Sequence, residues 1–346
     1  MNFINKTLVS FLSLSALAAC TPGAEETTEN SEQTEIETET NEAAESESTN
    51  SAQLSVVTTF YPVYEFTEQV AGDRADIEMM IQGSTDVHHY EPSARDMAMI
   101  NDADMFVYSS DEMETWVPSM LASLDNEDLI VVEQAAAVEL IEGDLDGHSD
   151  EDDAHDHGHE DDDHDHEDDD HSHAVDPHIW LDPVLVQDQI ETMKEAFIES
   201  DPDGEEAYAS RAEAFQDELQ TLHEAFEEAF SDASQRRFVT QHEAFGYLAR
   251  RYDLNQMAVG GLSTEVEVSP SRIAEINQFV EEYDIPVIYF QEGANSSIAE
   301  TVANETGADV AELYSLETLP SVVEAEEEGY IEAMKRNLEA LKLSIQ

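Results

Sequence analysis

Cysteine and positive charge are scarce in this sequence, and each scarcity excludes something. Cys20 is the single cysteine among the 346 residues, so the chain cannot form an internal disulfide. Lys and Arg number 13 against 82 Asp and Glu, and the formal net charge is −69. We therefore expect neither nucleic acid nor an anionic lipid surface as a partner. Acids also cover the predicted helices, which favours a protein that works in high salt; an acidic protein in ordinary medium is the alternative.

The sequence also lacks an apolar run long enough to suggest a transmembrane helix. The apolar stretch near its start, Thr7–Ala16, is too short to span a bilayer. It follows Lys6 and leads into Leu-Ala-Ala-Cys, a cleavage box of small residues that ends at Cys20. This pattern predicts a bacterial lipoprotein signal over residues 1–20, and an ordinary secretory peptide is the alternative. We expect an extracytoplasmic protein held at the cell membrane by a lipid on Cys20.

Two segments lack the apolar residues that a packed core requires. Residues 21–52 contain one Ile among small and polar residues, and they predict a disordered acidic tether. Residues 148–173 hold eight of the 13 histidines in a run made almost entirely of Asp, Glu, Gly and Ser. This composition predicts a disordered loop over 143–175 that collects divalent cations weakly, because imidazole suits zinc, copper and nickel. Its histidines are His148, His155, His157, His159, His164, His166, His171 and His173.

The rest of the chain alternates strand patterns with helix patterns, which predicts an α/β fold with parallel sheets. The stretches Val56–Tyr61 and Phe238–His242 begin alike, since each is a strand-like run that passes into a helical pattern. We predict an N-terminal α/β lobe over residues 53–200 and a C-terminal α/β lobe over 235–346. Further strands are predicted at Ile77–Ile81, Met105–Tyr108, Leu129–Val132, Gln256–Val259, Val287–Phe290 and Val310–Leu313.

One long rigid helix, predicted over residues 203–232, joins the two lobes. The stretch Glu205–Ser231 contains neither Pro nor Gly and repeats apolar residues at helical spacing. Those residues are Tyr208, Ala212, Phe215, Leu219, Leu222, Phe226 and Phe230. Ligands of open α/β sheets bind outside the carboxyl ends of the strands, so a site is expected in the cleft between the lobes.

Histidines outside the tract are the candidate metal ligands. His88 and His89 fall in a loop after a predicted strand, His178 lies in a segment framed by prolines, and His242 ends a strand. Neutral imidazoles from different elements are what a zinc site needs, although any one of them taken alone fits an ordinary surface or core histidine. His223 lies between acids on the long helix and is interpreted as a surface residue.

Four segments in chain order resemble the zinc-binding substrate-binding lipoproteins of bacterial ABC importers. They are His-His-Tyr-Glu-Pro at 88–92, Asp-Pro-His-Ile-Trp-Leu-Asp-Pro at 176–183, Thr-Gln-His-Glu-Ala-Phe-Gly-Tyr at 240–247 and Tyr-Phe-Gln-Glu at 289–292. The likeness runs from about Leu54 to Gln346, and the His-rich insertion is typical of the zinc branch. It implies two lobes joined by a rigid helix, with a buried metal between them, in a receptor that delivers Zn2+ to an ABC permease. We expect a monomer.

The resemblance also implies the metal ligands. The first falls on His88, four residues before Pro92, and an exchange with its neighbour His89 stays open. The second and third fall on His178 and His242. The fourth is a carboxylate that falls on Glu292, although water takes this place in some zinc members.

The metal itself is predicted from the donor types. Manganese and iron relatives add an aspartate from the last part of the chain, whereas this chain has no Asp after Asp309. Three imidazoles without that second carboxylate favour zinc, because manganese prefers sites rich in oxygen.

Three other functions are weighed against zinc delivery. A receptor of the same family for manganese or another divalent metal, and a surface adhesin that buffers zinc, both stay open. A zinc hydrolase is disfavoured, because Gly246 stands where the H-E-x-x-H motif needs its second histidine. We therefore expect that the protein is not an enzyme.

Overall fold

The computed structural model describes residues 53–83, 85–144, 173–262, 268–291, 296–326 and 328–346. The predicted signal over 1–20 with Cys20, the tether over 21–52, and Glu292 lie outside these residues. Seven histidines of the tract, His148 to His171, also lie outside them, and only the backbone of His173 is described.

The first half of the described chain folds around a parallel sheet of four strands in the order β2-β1-β3-β4. Val56 of β1 lies between Ile77 of β2 and Met105 of β3, and every residue of β3 is buried. The helix α2 begins with a capping box, in which the side chains of Ser93 and Asp96 each accept a backbone N–H from the other residue. The elements are β1 (Leu54–Thr58), α1 (Tyr61–Ala71), β2 (Ala75–Met79), α2 (Ala94–Asp102), β3 (Met105–Tyr108), α3 (Val117–Leu121) and β4 (Ile130–Glu133).

A short antiparallel ribbon then flanks the histidine tract. It pairs β5 (Glu142–Asp144) with β6 (His173–Val175), and Asp144 lies opposite His173. The predicted loop over 143–175 is therefore shorter than expected, because both of its ends belong to paired strands. The histidine tract is thus bounded on both sides by this ribbon. Its last residue, His173, lies three residues before Asp176.

Two helices follow, α4 (Pro183–Ser200) and α5 (Glu205–Phe230), and α5 is the predicted long helix. All seven apolar residues of its predicted stripe are buried. Each such side chain contributes roughly 1.5–3 kcal/mol when it is fully buried, Ala212 less. The helix contacts α1 of the first half, α4 beside it, and the helix α10 (Tyr330–Leu341) at the end of the chain. It therefore packs against elements of both halves.

The second half repeats the first. Its parallel sheet has the order β10-β9-β7-β8, which is the same strand order as in the first sheet read along the chain. The predicted two-sheet α/β fold is confirmed. Met105–Tyr108 and Val287–Phe290 match their predicted strands, and the others are displaced by a few residues. The elements are β7 (Arg237–Thr240), α6 (Gly246–Arg251), β8 (Asn255–Ala258), α7 (Pro270–Glu282), β9 (Val287–Phe290), α8 (Ser297–Thr306), β10 (Asp309–Glu312), α9 (Ser321–Ala325) and α10.

One hydrophobic cluster continues across both halves. It contains Phe60 of the first half, Trp180 from the segment before α4, and Tyr289 and Tyr330 of the second half, all almost fully buried. Its aromatic rings meet edge to face, as in the Phe60–Trp180 pair at 5.1 Å between centroids. Among the described residues, no helix combines the length and the apolar character needed to cross a bilayer.

Candidate metal centre

Three histidines and one glutamate meet where the two halves face each other. His88 follows β2 and is half-buried, while His178 lies between β6 and α4 and is fully buried. His242 comes two residues after β7, and Glu317 lies in the loop between β10 and α9; both are buried. Among the described residues, these four form a group that could hold a metal ion. Their donor atoms all lie within 4.8 Å of one another.

The donor atoms have the spacing of ligands around one ion. Nε2 of His178 and Nε2 of His242 are 3.1 Å apart. Oε1 of Glu317 lies 3.2 Å from Nε2 of His242, 3.6 Å from Nε2 of His178 and 3.7 Å from Nε2 of His88. A tetrahedral zinc ion with ligands at about 2.0–2.1 Å needs donor atoms about 3.3–3.4 Å apart. The observed distances bracket that value.

Two donor atoms are buried without a hydrogen bond. Nε2 of His88 and Oε1 of Glu317 have no hydrogen-bond partner among the described residues. Buried polar atoms are almost always paired, so each unpaired one requires an explanation. A cation shared by the four residues would satisfy both atoms together.

Hydrogen bonds outside the cluster orient His88 and His178. The carboxylate of Asp176 accepts from Nδ1 of His178 at 2.8 Å and from the His178 backbone N–H at 2.9 Å. Because Nδ1 faces that carboxylate, Nε2 is the ring nitrogen that points toward the cluster, as in many metal-binding histidines. Asp86 accepts from the backbone N–H of His88 at 2.8 Å.

The second half packs closely against Asp176. A Cβ atom added to Gly246, the first residue of α6, would collide with the Asp176 carboxylate. The hydroxyl of Tyr247 donates to the backbone carbonyl of Asp176 at 2.8 Å and accepts from the N–H of Ile141 at 3.0 Å. Gly246, which stands where the H-E-x-x-H motif needs its second histidine, thus leaves space for the Asp176 carboxylate behind His178.

The electrostatics of the cluster follow from one carboxylate among three imidazoles. Burial acts to raise the pKa of Glu317, but the facing imidazoles outweigh it and hold that pKa well below its usual range. Burial acts to lower the pKa of His178, yet Asp176 and Glu317 together raise it to about 9. Burial lowers the pKa of His242. The metal-free cluster therefore pairs an ionised Glu317 with a protonated His178 at neutral pH.

The structure brings three of the four predicted ligands together, and beside them it places Glu317, a glutamate that was not among the predicted ligands. His88, His178 and His242 meet, whereas His89 has an exposed side chain outside the cluster. The predicted Glu292 lies outside the described residues. The sequence analysis expected no second carboxylate because the chain has no Asp after Asp309, whereas the structure places the carboxylate of Glu317 beside the three histidines.

A signal for Glu317 was present in the sequence. It is the single acid in Leu-Tyr-Ser-Leu-Glu-Thr-Leu-Pro at 313–320, directly after a predicted strand. An acid in an otherwise apolar segment at the carboxyl end of a parallel strand is a candidate for the site. His223 lies outside the cluster, but it is half-buried and not the surface residue that was predicted, because its ring packs against Tyr252 with Nδ1 3.1 Å from the Tyr252 hydroxyl.

Comparisons with known proteins point to one family. The family model for ZnuA, the periplasmic component A of the zinc-uptake complex, matches residues 56–343. The high-affinity zinc uptake system protein ZnuA of Bacillus subtilis (strain 168) is 40% identical over 292 residues, which cover 84% of this chain and 88% of that protein. The zinc-binding lipoprotein AdcA of Streptococcus pneumoniae (strain ATCC BAA-255 / R6) is 40% identical over 289 residues, which cover 84% of this chain.

The match to AdcA covers 55% of that protein, so this chain spans about half of its length. Among solved structures, the Zn(II)-bound ZnuA-like domain of S. pneumoniae AdcA is 38% identical with a TM-score of 0.69, and the match covers 85% of this chain and 99% of that one. This chain belongs to the ZnuA family of zinc-uptake components, and the predicted resemblance is confirmed.

Proposed function

We propose that this protein is an extracytoplasmic receptor that binds one Zn2+ at His88, His178, His242 and Glu317 and delivers it to an ABC permease. The single observation that carries the proposal is that the donor atoms of four side chains from separate segments lie within 4.8 Å of one another, with the distances from Glu317 to the three histidines at 3.2 to 3.7 Å. Such a set can hold an ion tightly while both halves contribute to it. Separation of the halves would then dismantle the site and release the ion.

Zinc fits this donor set better than manganese does. Because Glu317 lies beside the three histidines, the lack of a carboxylate from the last part of the chain no longer favours zinc. Three imidazoles and one carboxylate gathered around a single point still suit zinc, whereas manganese prefers six-coordinate sites that are rich in oxygen. The zinc-binding relatives support the same choice.

Delivery fits better than catalysis. Catalytic zinc keeps three protein ligands and an open position for water, whereas here Glu317 fills the fourth position. The lipoprotein signal with lipid on Cys20 and the acidic tether would hold a monomeric receptor outside the cell membrane, beside its permease. The histidine tract would collect zinc weakly near the mouth of the site.

The test is a competitive zinc titration of the whole chain with Cys20→Ser, in high salt and with a chelator that suppresses weak sites. We expect one tight zinc equivalent that excess manganese does not displace. His178→Ala should lower the affinity at least a thousandfold, because it removes one ligand and leaves Asp176 buried without its partner. His223→Ala is the matched control and should keep the wild-type affinity.

Tight binding that survives His178→Ala would place the tight zinc outside this cluster and reject the proposal. Preferred binding of manganese would identify manganese, and not zinc, as the metal that this receptor binds. A deletion strain separates delivery from adhesion, since an import receptor requires a growth defect in zinc-depleted medium that added zinc rescues.

A further inference from the structure

Glu317 is buried and yet lies in a loop without regular structure. The loop connects β10 to α9, and Glu317 has 7% of its surface exposed. An irregular segment does not fix a side chain through its own backbone ladder. The contacts that hold this loop therefore decide where the carboxylate lies.

The backbone just before Glu317 is held from two sides. The side-chain amide of Asn337, on α10, accepts from the Tyr314 N–H and donates to the Tyr314 carbonyl, both at 2.8 Å. The indole Nε1–H of Trp180 donates to the Ser315 carbonyl at 2.7 Å. Both Asn337 and Trp180 are almost fully buried, and the bond from Trp180 to Ser315 is buried as well.

The next residue adopts a conformation that needs such support. Leu316 has φ of 61°, in the left-handed region that leucine rarely occupies, and its side chain is buried. Residues in that region persist when their surroundings over-determine them, and they cluster at functional sites. Leu316 directly precedes Glu317, so the left-handed turn sets the direction in which the carboxylate leaves the loop.

Trp180 also contacts a second ligand. Its ring packs edge to face against the imidazole of His178, with centroids 5.2 Å apart. Its own backbone carbonyl accepts a hydrogen bond from the hydroxyl of Tyr330 at 2.7 Å, and its ring meets Phe60 at 5.1 Å. The indole is thus held between the two halves, with its ring against one proposed ligand and its N–H bonded to the loop of another.

We propose that Trp180 is a positioning residue that fixes the separation between His178 and Glu317, and thereby sets the zinc affinity and the rate of zinc release. This inference rests on the proposed function and deepens it. Trp180 does not contact the ion; it acts through the loop that carries Glu317. Loss of its N–H leaves the Ser315 carbonyl buried without its partner, and the loop can then relax away from the three histidines.

The test is Trp180→Phe in the whole chain with Cys20→Ser, because phenylalanine keeps ring packing and removes the donor. Zinc affinity should fall about tenfold, the effect expected when one buried acceptor loses its partner, and dissociation into excess chelator should accelerate similarly. The d–d absorption of bound Co2+ should change, because the fourth ligand shifts. Trp116→Phe is the control: its indole N–H has no hydrogen-bond partner among the described residues, and affinity should stay within about twofold.

A double-mutant cycle separates positioning from general loosening of the fold. In a Glu317→Gln background, Trp180→Phe should have little further effect, because the two residues act on one contact. Asn337→Asp, which removes the donor to the Tyr314 carbonyl, should produce the same Co2+ spectral change and decides the matter if Trp180→Phe does not fold. Unchanged zinc affinity and Co2+ spectrum in folded Trp180→Phe, or additive losses in the cycle, would overturn the inference. Absence of tight zinc in the unsubstituted protein would instead overturn the proposed function, and this inference with it.

Discussion

The two halves of this protein share one strand order, and each buries a glutamate near the carboxyl ends of its strands. In the first half, Glu114 follows β3 and is completely buried. Its carboxylate accepts from the hydroxyl of Thr59 at 2.6 Å and from the backbone N–H groups of Ser109 and Ser110 at 3.0 Å each. In the second half, Oε1 of Glu317 has no hydrogen bond among the described residues and faces three imidazoles instead.

The pKa values of the two glutamates move in opposite directions for this reason. Burial raises the pKa of Glu114 to about 7, because its hydrogen bonds offset the burial only in part. Burial acts the same way on Glu317, but the imidazoles hold its pKa well below the usual range. Burial alone therefore does not identify a metal ligand. Glu317 is distinguished as the proposed ligand by its unpaired Oε1 and the three imidazoles around it. The carboxylate of Glu114 instead accepts hydrogen bonds from Thr59, Ser109 and Ser110.

The largest expected difference between the two glutamates is in their effect on zinc affinity. Glu317→Gln should lower the affinity about a hundredfold, because the neutral amide replaces a charged ligand oxygen, whereas Glu114→Gln should change it less than about threefold. Chelator competition measures both variants. Glu292→Gln belongs in the same series, since the sequence analysis predicts Glu292 as the fourth ligand. A large loss for Glu292→Gln with none for Glu317→Gln would reverse the assignment.

The two carboxylates beside His178, those of Asp176 and Glu317, lead to a second prediction. His178, whose pKa is raised to about 9, carries a proton in the metal-free site at pH 7, and zinc needs its Nε2 deprotonated. Zinc binding at pH 7 should therefore release at least one proton, and affinity should rise with pH until about 9. Calorimetry in buffers of different ionisation enthalpy counts the protons.

Asp176→Asn sharpens that prediction, because the amide keeps an acceptor for Nδ1 of His178 and removes the charge. It should lower zinc affinity about tenfold and reduce the proton release. Binding without proton release in the unsubstituted protein would contradict the electrostatic description of the cluster.

Glu114 gives the third prediction, which concerns stability. Between about pH 4.5 and 7 the folded protein holds a proton on Glu114 that the unfolded chain has lost, so this group makes the free energy of unfolding fall as pH rises. The decrease amounts to about 3 kcal/mol across that window and ends near pH 7. Urea unfolding of the metal-free protein at several pH values should show a flatter profile for Glu114→Gln. Parallel profiles for the two proteins would mean that Glu114 titrates normally.

The smallest effect is expected for the histidine tract. Deleting residues 148–172 keeps His173 opposite Asp144 and leaves three residues, one of them glycine, to close the β5–β6 ribbon. The tight zinc equivalent should persist with its affinity within about twofold, while weaker binding disappears. Equilibrium dialysis without the chelator distinguishes the two classes of site, and a lost tight equivalent would assign the tight zinc to the tract.

Much of this fold could be predicted because it depends on local patterns. The stripe of α5 and the strands at Met105–Tyr108 and Val287–Phe290 follow directly from hydrophobic periodicity. The three histidines were found because each stands in a distinctive segment. The sequence around Glu317 marks it as a candidate, but its place beside the histidines depends on a left-handed Leu316 and on a hydrogen bond to Ser315 from Trp180, which lies 137 positions before Glu317 in the chain. No local pattern encodes a contact of that kind.

The central claim is that one zinc ion bridges the two halves through His88, His178, His242 and Glu317. A crystal structure of the zinc-loaded protein, with anomalous diffraction at the zinc absorption edge, tests it most directly. The account predicts a single strong anomalous peak at about 2.0–2.2 Å from Nε2 of each histidine and from the Glu317 carboxylate. A peak in which Glu292 or water replaces Glu317, or one that lies away from the three histidines, would contradict it.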